Sequence, residues 1–231
     1  MKLITIIPAR GGSKGVKRKN LRTVGGVSLV GRAIKCAQQV NAFDNIFVST
    51  EDEAIKNEAL DHGAEVPYLR SQELASDYAS MQDTLKDALN NYKVYLQDNI
   101  FIVVLMEPTN PFRKPESIAK ALDLYSSGSF SSVIGVCSLE RKPENIFKKN
   151  YDILEQYIKD PDTSFVRRQD MEHLCRLSSV VYIFDSINFE TNMNFMQHPM
   201  GYVENTSIEA INIDTQLDLD FANFIAEKYN L

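Results

Sequence analysis

Two short runs, at residues 3–7 and 100–106, are predominantly apolar and rich in β-branched side chains. Runs of this length and composition predict strands, and an almost continuous apolar strand is typical of a parallel sheet buried on both faces. This feature constrains the fold more than any other, because a parallel sheet needs a layer of helices on each side. No run approaches the roughly 20 apolar residues that span a bilayer, so we expect no transmembrane helix.

Segments with helical periodicity lie between these strands and the other strands that the sequence predicts. The predicted strands are residues 2–8, 46–49, 99–106, 132–136 and 180–184, with a further extended piece at 66–69. The predicted helices are residues 27–40, 51–62, 79–95, 115–127 and 217–229. This alternation predicts βαβ crossovers, and therefore an α/β fold with a mainly parallel sheet and helices on both faces.

Ligands bind such sheets beyond the carboxyl ends of the strands. The candidate segments are therefore the turn after the first strand, residues 49–52, residues 106–113 and the chain that follows the strand at 132–136. Residues 138–175 are polar, irregular in pattern and long for a connection inside a domain. We expect one domain over residues 1–231, in which residues 138–175 form an arm able to reach a second subunit.

The basic side chains are concentrated near the start of the chain. Residues 1–43 contain nine Lys or Arg and no Asp or Glu, whereas the remaining residues contain 16 basic and 31 acidic side chains. This distribution favours a small phosphorylated ligand at a local cationic site, because the acidic remainder would repel DNA or RNA. The chain also lacks the interleaved aromatic and basic residues that indicate nucleic-acid binding. A basic turn that faces solvent would have the same composition and is the alternative at this point.

Three cysteines, Cys36, Cys137 and Cys175, are odd in number and far apart. They form neither a disulfide framework nor a zinc-binding pattern, and they are typical of a protein in the reducing cytoplasm. The first residues have no long apolar stretch behind a basic start, so we expect no secretory signal.

The segment at residues 8–20 (PARGGSKGVKRKN) directly follows the first predicted strand. It is neither a P-loop, G-x-x-x-x-G-K-[ST], nor the dinucleotide-binding motif G-x-G-x-x-G. Its glycines nevertheless allow the backbone to approach a ligand, and its hydroxyl and cationic side chains suit a triphosphate. The residues that would contact phosphate are Arg10, Gly11, Gly12, Ser13, Lys14, Gly15 and Lys19.

The same loop resembles the start of the acylneuraminate cytidylyltransferase family, the CMP-sialic acid synthetases. Five later blocks resemble further motifs of that family, in the family's order and over nearly the whole chain. They are VSTED at residues 48–52, RSQELASD at 70–77, EPTNPFR at 107–113, RRQD at 167–170 and IDTQLD at 213–218. Together these blocks are specific for the family.

The resemblance implies a Rossmann-like α/β domain with a small dimerisation arm. It implies an enzyme that transfers CMP from CTP to the anomeric hydroxyl of an acidic nine-carbon (nonulosonic) sugar, sialic acid or a relative, and releases pyrophosphate. The expected cofactor is Mg²⁺, which would bridge phosphate oxygens through carboxylates and waters. The expected partners are CTP, the acidic sugar and a second copy of the chain, with no nucleic acid and no membrane.

The resemblance also implies roles for individual residues. The catalytic residues would be Arg10, Lys19 and Asp214. The nucleotide-binding residues would be Ala9, Arg10, Gly11, Gly12, Ser13, Lys14, Lys19, Asn20, Arg70 and Ser80. The sugar-binding residues would be Glu107, Arg168, Gln169 and Tyr182, and the metal ligands would be Asp214 and Asn212.

Simpler structural roles compete with several of these assignments. Arg70 could be a surface partner of Glu73, three residues later in the chain. Arg168 could be a solvated residue of the arm. Residues 215–218 (TQLD) read as a capping box before the last predicted helix, and Asp214 could then belong to the helix start.

The sequence departs from the family pattern mainly on the acceptor-sugar side. Asn212 stands where the family commonly has the first Asp of Asp-x-Asp at the metal site, Glu107 stands where it has Gln, and Asn110 where it has Ser. Nucleotide binding is therefore better supported than the identity of the sugar, which could be a legionaminic or pseudaminic acid. Two alternatives stay open: a non-catalytic CTP-binding relative, and a nucleotidyltransferase for a different nucleotide or sugar.

Overall fold

The computed structural model describes residues 1–139, 143, 146–157 and 174–231. The strands within these ranges are β1 (Lys2–Pro8), β2 (Thr23–Val24), β3 (Val27–Ser28), β4 (Asn45–Ser49), β5 (Phe101–Leu105), β6 (Ser132–Ser138), β7 (Phe147–Asn150), β8 (Ile153–Gln156), β9 (Cys175–Asp185) and β10 (Met200–Glu204). The α-helices are α1 (Leu29–Val40), α2 (Glu53–Asp61), α3 (Met81–Leu96), α4 (Pro115–Ser126), α5 (Ser186–Asn192) and α6 (Gln216–Tyr229).

Six of these strands form the main sheet, in the order β10–β6–β9–β5–β1–β4. β4, β1 and β5 pair in parallel, as do β6 and β10. Among the six, β9 alone runs in the opposite direction, antiparallel to both β5 and β6. The prediction of a mainly parallel sheet is therefore confirmed, with one reversed strand that the apolar pattern did not reveal.

Different helices cover the two faces of the sheet. Alternation along β1 sends Ile4 and Ile6 to one face and Ile7 to the other. The first face packs against α3 and α5, whereas the second packs against α1, α2 and α4. A third cluster lies under α6 and includes Leu29 and Phe112. The predicted helices on both faces are thus confirmed, and they explain why the central strands are apolar at nearly every position.

Local hydrogen bonds move some of the predicted boundaries. The helix expected at residues 51–62 begins at Glu53, because the Asp52 side chain accepts hydrogen bonds from the N–H groups of Ala54 and Ile55 and caps it. The extended piece expected at 66–69 forms no regular strand, although Glu65, the residue before it, makes an isolated parallel bridge with Phe47 of β4.

The region between β6 and β9 also differs from the expectation. Residues 138–175 were expected to be irregular, yet β7 and β8 pair there as an antiparallel hairpin. α5 and β10 were not predicted, because a seven-residue helix and a five-residue edge strand are too short to give a clear periodicity.

The strand order determines where a ligand can enter the fold. From β1 the chain crosses through α1 to β4 on one side, whereas β5 lies on the other side of β1. Neighbouring strands with diverging connections leave a crevice beyond their carboxyl ends. The segments at 9–20 and 107–114 border this crevice, as the sequence predicted. In the ranges that the structure describes, no helix is both long enough and apolar enough to cross a membrane.

Candidate active site

A cleft of about 370 Å³ opens beyond the carboxyl ends of β1 and β5. The segment after β1 contributes Arg10, Ser13, Lys14, Gly15, Lys19 and Asn20 to its lining. The segment after β5 contributes Glu107, Pro108 and Thr109, and Asp214 comes from the segment before α6. Arg70, Leu74, Ser76, Asp77, Ala79, Met81 and Thr84 complete the opposite flank. Four segments far apart in the sequence therefore meet around one space.

The basic loop is fixed by contacts with its surroundings. Asn20 is buried, and its side-chain amide donates a 2.9 Å hydrogen bond to the carbonyl oxygen of Arg10. Val16 is buried in the apolar cluster under α6, which also contains Ile213. The Ile213 N–H in turn donates to the carbonyl oxygen of Thr109 at 2.9 Å. These contacts hold the basic loop, the end of β5 and the start of α6 in one fixed arrangement.

The three glycines of the loop differ in how much space a side chain would have at each position. A Cβ atom on Gly15 would lie 2.0 Å from the backbone oxygen of Asp214, so the loop can approach the α6 segment only with glycine at this position. A Cβ atom on Gly11 would lie 2.5 Å from a carboxylate oxygen of Asp52. A Cβ atom on Gly12 would meet nothing within 4 Å. Gly15 is therefore needed for close packing.

The Gly15→Ala substitution is expected to destabilise the fold by about 1–3 kcal/mol, because the loop must move away from the backbone of Asp214. Gly12→Ala is the matched control, and its free energy of unfolding should stay within about 0.5 kcal/mol of the wild-type value. Urea denaturation of both variants measures the difference. Equal stabilities for the two variants would show that the close approach is unimportant.

Two cations of the loop bind one carboxylate on the opposite flank. Nη1 of Arg10 lies 3.1 Å from Oδ1 of Asp77, and Nζ of Lys14 lies 2.7 Å from Oδ2 of the same residue. Arg10 also donates to the carbonyl oxygens of Ala75 and Ser76. The hydrogen bonds from Lys14 and Arg10 hold the pKa of the Asp77 carboxyl below its usual range. Asp77 thus occupies the cations that an entering phosphate group would need.

The Asp77→Asn substitution is therefore expected to tighten CTP binding about two- to fivefold, because the carboxylate no longer competes for Arg10 and Lys14. Calorimetric titration with CTP at low salt measures the dissociation constant. Asp123→Asn, at an exposed position of α4, is the control and should leave CTP binding unchanged. Weaker binding by the Asp77 variant would instead mean that this carboxylate orients the two cations for the ligand.

Arg70 forms a buried ion pair with Glu51. Nε and Nη2 of Arg70 lie 3.1 and 3.0 Å from Oε2 of Glu51, and the two side chains are 3% and 5% exposed. The other carboxylate oxygen accepts a 2.7 Å hydrogen bond from the N–H of Gly11. The alternative in which Arg70 pairs with Glu73 at the surface is wrong. Glu51 instead connects the basic loop to the Arg70 flank.

The segment before α6 combines two features that were weighed as alternatives. Thr215 caps α6 and forms a reciprocal capping box with Asp218, so that expectation is confirmed. Asp214 lies just outside the cap, and its side chain is 65% exposed. Its carboxylate accepts hydrogen bonds from Nζ of Lys19 at 2.9 Å and from the side-chain amide of Asn212 at 2.6 Å. The Asp214 N–H thus joins the cap by donating to the Asp218 carboxylate at 3.1 Å, whereas the Asp214 carboxylate takes no part in it and lines the cleft.

The segment after β5 has a buried structural part and one side chain in the cleft. Asn110 is buried, and its amide donates to the carbonyl oxygens of Ser178 and Ile211. The guanidinium of Arg113 is also buried and donates to the carbonyl oxygen of Glu107 at 2.7 Å. Burial raises the pKa of the Glu107 carboxyl, an effect that Arg113 opposes and Asp214 reinforces.

The structure brings nine of the residues that were predicted for the site to the cleft. They are Arg10, Ser13, Lys14, Gly15, Lys19, Asn20, Arg70, Glu107 and Asp214. Arg168 and Gln169 lie outside the described residues. Asp77, Met81 and Thr84 line the cleft without having been singled out from the sequence. The sequence did contain a signal for Met81 and Thr84. Ser80 was predicted for the site, and it caps α3, so the first turn of this helix lies on the same flank of the cleft.

Six other predicted residues lie away from the lining of the cleft. One is Asn212, whose side-chain amide donates to Asp214. Ala9 is buried and donates its N–H to the carbonyl oxygen of Ser49. Gly11 and Gly12 border a separate acidic hollow on the α2 side. Ser80 accepts a hydrogen bond from the N–H of Asp83 as the cap of α3.

Tyr182 is the sixth of these residues. It packs in the core edge-on to Phe195, and its hydroxyl lies 3.2 Å from that of Ser179. In the ranges that the structure describes, no cluster of three or more His, Cys, Asp or Glu side chains could hold a metal ion. Asp214, which has Asn212 beside it, therefore belongs to no cluster of this kind within these ranges.

Comparison with known proteins indicates the same family as the sequence motifs do. The family described as cytidylyltransferase matches residues 4–229. The chain is 33% identical over 227 residues to CMP-N,N'-diacetyllegionaminic acid synthase of Legionella pneumophila, covering 94% of this chain and 93% of that protein. It is 32% identical over 242 residues to N-acylneuraminate cytidylyltransferase of Streptococcus agalactiae serotype V, covering 100% of this chain and 56% of that protein.

Solved structures confirm the fold independently. CMP:2-keto-3-deoxy-manno-octonic acid synthetase, solved in complex with CTP, superimposes with a TM-score of 0.70 at 14% identity, covering 99% of this chain and 100% of that chain. A 4-diphosphocytidyl-2C-methyl-D-erythritol synthase from Anaerococcus prevotii superimposes with a TM-score of 0.68 at 15% identity, covering 98% and 99%. The fold, the cationic cleft and the matched family agree, and the chain therefore belongs to the cytidylyltransferase family.

Proposed function

We propose that this protein transfers CMP from CTP to the anomeric hydroxyl of an acidic nonulosonic sugar and releases pyrophosphate. The observation that carries the proposal is the cleft at the carboxyl ends of β1 and β5, where Arg10, Lys14 and Lys19 of one loop line a space of about 370 Å³. The names of the relatives, which include synthases of CMP-activated legionaminic and neuraminic acids, support the sugar class.

The chemistry needs positioning and charge neutralisation more than a covalent intermediate. In the proposed reaction the anomeric oxygen attacks the α-phosphorus of CTP and loses its proton. The bond from the α-phosphorus to the bridging oxygen breaks, and the β- and γ-phosphates leave as pyrophosphate. Arg10, Lys14 and Lys19 would hold these two phosphates and stabilise the negative charge that develops on the leaving group.

The flank formed by Arg70, Leu74, Met81 and Thr84 would receive the cytosine. Its mixed apolar and polar lining suits a flat base with acceptor atoms on one edge. Glu51 engages Nε and Nη2 of Arg70, whereas Nη1 forms no hydrogen bond within the described part of the chain. That nitrogen would be available to a carbonyl oxygen such as O2 of cytosine.

We infer that Mg²⁺ accompanies CTP and that Asp214 would be its protein ligand, with the Asn212 amide oxygen as a second. Mg²⁺ commonly binds through one or two carboxylates together with substrate phosphates, so a single exposed carboxylate beside the cations suits it. When bound, the ion would neutralise part of the phosphate charge. Lys19, which now pairs with Asp214, would then be free to bind a phosphate oxygen.

The proposal also includes a homodimer that forms through the arm at residues 138–175. The hairpin of β7 and β8 exposes a cluster of large apolar side chains: Ile146, Phe147, Ile153, Leu154 and Tyr157. Exposed apolar patches of this kind mark interaction surfaces, and we propose that this one mediates a homodimer. Light scattering should give twice the mass of the chain. None of the three cysteines forms a disulfide in the described part of the chain, which supports a cytoplasmic location.

Pyrophosphate release tests the proposed activity. The four ribonucleoside triphosphates are each combined, in the presence of Mg²⁺, with sialic, legionaminic, pseudaminic and 3-deoxy-octulosonic acids and with neutral sugar phosphates. We expect release only with CTP and an acidic ulosonic acid. Release with another triphosphate or with a neutral sugar would keep the fold and overturn the substrate. Tight CTP binding without any release would favour a non-catalytic relative.

Asn212 is the observation that supports the non-catalytic alternative and allows it to be tested. Asn212 contributes no charge and donates to Asp214 through its amide, so a metal ion would be held by one carboxylate fewer than in a pair of aspartates. In an enzyme, Asn212→Asp should lower the Mg²⁺ concentration that gives half-maximal activity. In a binding relative the same substitution should leave CTP affinity nearly unchanged.

A further inference from the structure

Residues 71–79, which we call the strap, form one flank of the cleft between two well-fixed ends. The strap begins after Arg70, which is buried in its ion pair, and ends before Ser80, the cap of α3. None of its residues is fully buried, and none belongs to the three apolar clusters of the described chain. Its internal hydrogen bonds are local, as from the Leu74 N–H to the carbonyl oxygen of Ser71. A segment with so few buried contacts belongs to the least stable part of a fold.

The basic loop holds the strap from the other side of the cleft. In the described part of the chain, every hydrogen bond that joins the strap to another segment involves Arg10 or Lys14. Nη1 of Arg10 donates to Asp77 at 3.1 Å and to the carbonyl oxygens of Ala75 and Ser76 at 3.3 and 3.2 Å. Lys14 donates to Asp77 at 2.7 Å. The strap is therefore attached through the same two cations that would bind phosphate.

These attachments are open to water and therefore weak. The side chains of Arg10, Lys14 and Asp77 are 36%, 79% and 35% exposed. An exposed ion pair shifts an equilibrium by at most about fivefold. A hydrogen bond between a cation and a phosphate oxygen shifts it by about tenfold or more, and a triphosphate offers several such oxygens. The phosphates therefore displace Asp77 from both cations.

We propose that the strap is an autoinhibitory element: in the empty site Asp77 holds it against the basic loop, and a chain of phosphates that binds Arg10 and Lys14 releases it. This inference rests on the phosphate binding that the proposed function requires. CMP lacks the β- and γ-phosphates that the loop would bind, so it leaves the strap attached. The strap is thus open while the loop holds the triphosphate and attaches again after pyrophosphate has left.

Cleavage by chymotrypsin after Tyr78 tests the release directly, because this strap residue is 99% exposed. A protease cuts only a segment that leaves its native backbone conformation, so the rate of cleavage reports the released fraction. The probe is inorganic tripolyphosphate, which carries the phosphates without a base. At saturation it should accelerate cleavage of the wild-type protein after Tyr78 by about 5- to 20-fold, since two ion pairs are lost. CMP should not change the rate.

Two variants and one internal control isolate the role of Asp77. Asp77→Asn should be cleaved at least about threefold faster than the wild type without ligand, and its response to tripolyphosphate should fall below about threefold. Glu73→Gln removes another exposed carboxylate of the strap and should keep the wild-type rate and response. Tyr151, at the turn between β7 and β8, is equally exposed and lies outside the cleft. Cleavage after Tyr151, identified by mass spectrometry, should not respond to tripolyphosphate.

Salt provides a second test that needs no ligand. Added NaCl screens exposed ion pairs, so it should accelerate cleavage after Tyr78 in the wild type and in Glu73→Gln, relative to cleavage after Tyr151. The Asp77→Asn variant should show no such acceleration. The same salt response in all three proteins would overturn the assignment of the attachment to Asp77.

The remaining outcomes separate this inference from the proposed function. If tripolyphosphate binds in a calorimetric titration but leaves cleavage unchanged or slows it, the inference is overturned and CMP transfer is untouched. Equal acceleration of the wild type and Asp77→Asn, or acceleration by CMP alone, also overturns it. Release by tripolyphosphate in a protein that transfers no CMP supports the strap and overturns the proposed activity. No binding of CTP or tripolyphosphate overturns the proposed function, and the inference with it.

Discussion

Replacing Lys19 by methionine is expected to lower kcat for CMP transfer by about 10²- to 10³-fold. Lys19 is 16% exposed, and its ammonium group reaches both the carboxylate of Asp214 and the carbonyl oxygen of Ile213, so its charge is held in one position at the rim of the cleft. A cation fixed before the reaction stabilises developing negative charge without reorganising, and methionine removes it while keeping the length of the side chain. Initial rates of pyrophosphate release at saturating substrates measure the loss.

The control for this prediction comes from the same loop. Lys17 is exposed and forms no ion pair in the described structure, so Lys17→Met should leave kcat within about twofold of the wild-type value. If the Lys19 variant also retained kcat within about threefold, the lysine would have no part in stabilising the leaving group. Thermal unfolding of both variants checks that any loss of rate is not a loss of fold.

Replacing Glu51 by alanine is expected to destabilise the protein by about 3–5 kcal/mol, because it leaves the buried guanidinium of Arg70 without its counterion. The same change removes the acceptor of the Gly11 N–H, so the basic loop should also lose order. Urea denaturation measures the change in the free energy of unfolding. A loss of this size is a large fraction of the total stability of a typical domain, so the variant should be studied at low temperature.

Two comparisons sharpen this prediction. Glu53, whose side chain is exposed, forms an ion pair with Lys56 three residues later in the chain, so Glu53→Ala should cost at most about 1 kcal/mol. The double variant Glu51→Leu/Arg70→Met removes both buried charges and should be more stable than the Glu51→Ala variant, because no unpaired charge is left behind. If Glu51→Ala and Glu53→Ala had equal effects, burial of the Glu51–Arg70 pair would not matter to stability.

Several features of the site could be predicted from the residues because they depend on local chemistry. The basic loop follows a strand in the sequence, so its place beyond the carboxyl end of β1 required only the alternation of strands and helices. The capping box of Thr215 and Asp218 depends on residues three positions apart. The resemblance to the family added the later motifs, and the match to residues 4–229 confirms it.

The partners of the charged residues could not be predicted in the same way. Arg70 was weighed as a partner of Glu73, yet the fold carries it to Glu51, which also receives the Gly11 N–H. The choice depends on which loops meet beyond the sheet, and no local pattern encodes that. The reversed direction of β9 could not be predicted either. Side chains alternate between the two faces of a sheet in the same way whether a strand runs parallel or antiparallel to its neighbours.

The sequence by itself determined the types of the longer elements, the α/β class and the position of a basic, glycine-containing loop after β1, since periodicity, capping and glycine spacing act over a few residues. Only the tertiary structure decided which charges face one another. Asp77 reaches Arg10 across 67 residues and Lys19 reaches Asp214 across 195. Such contacts arise because burying both faces of the sheet forces distant loops to the same edge, where each side chain binds the charge that packing brings to it.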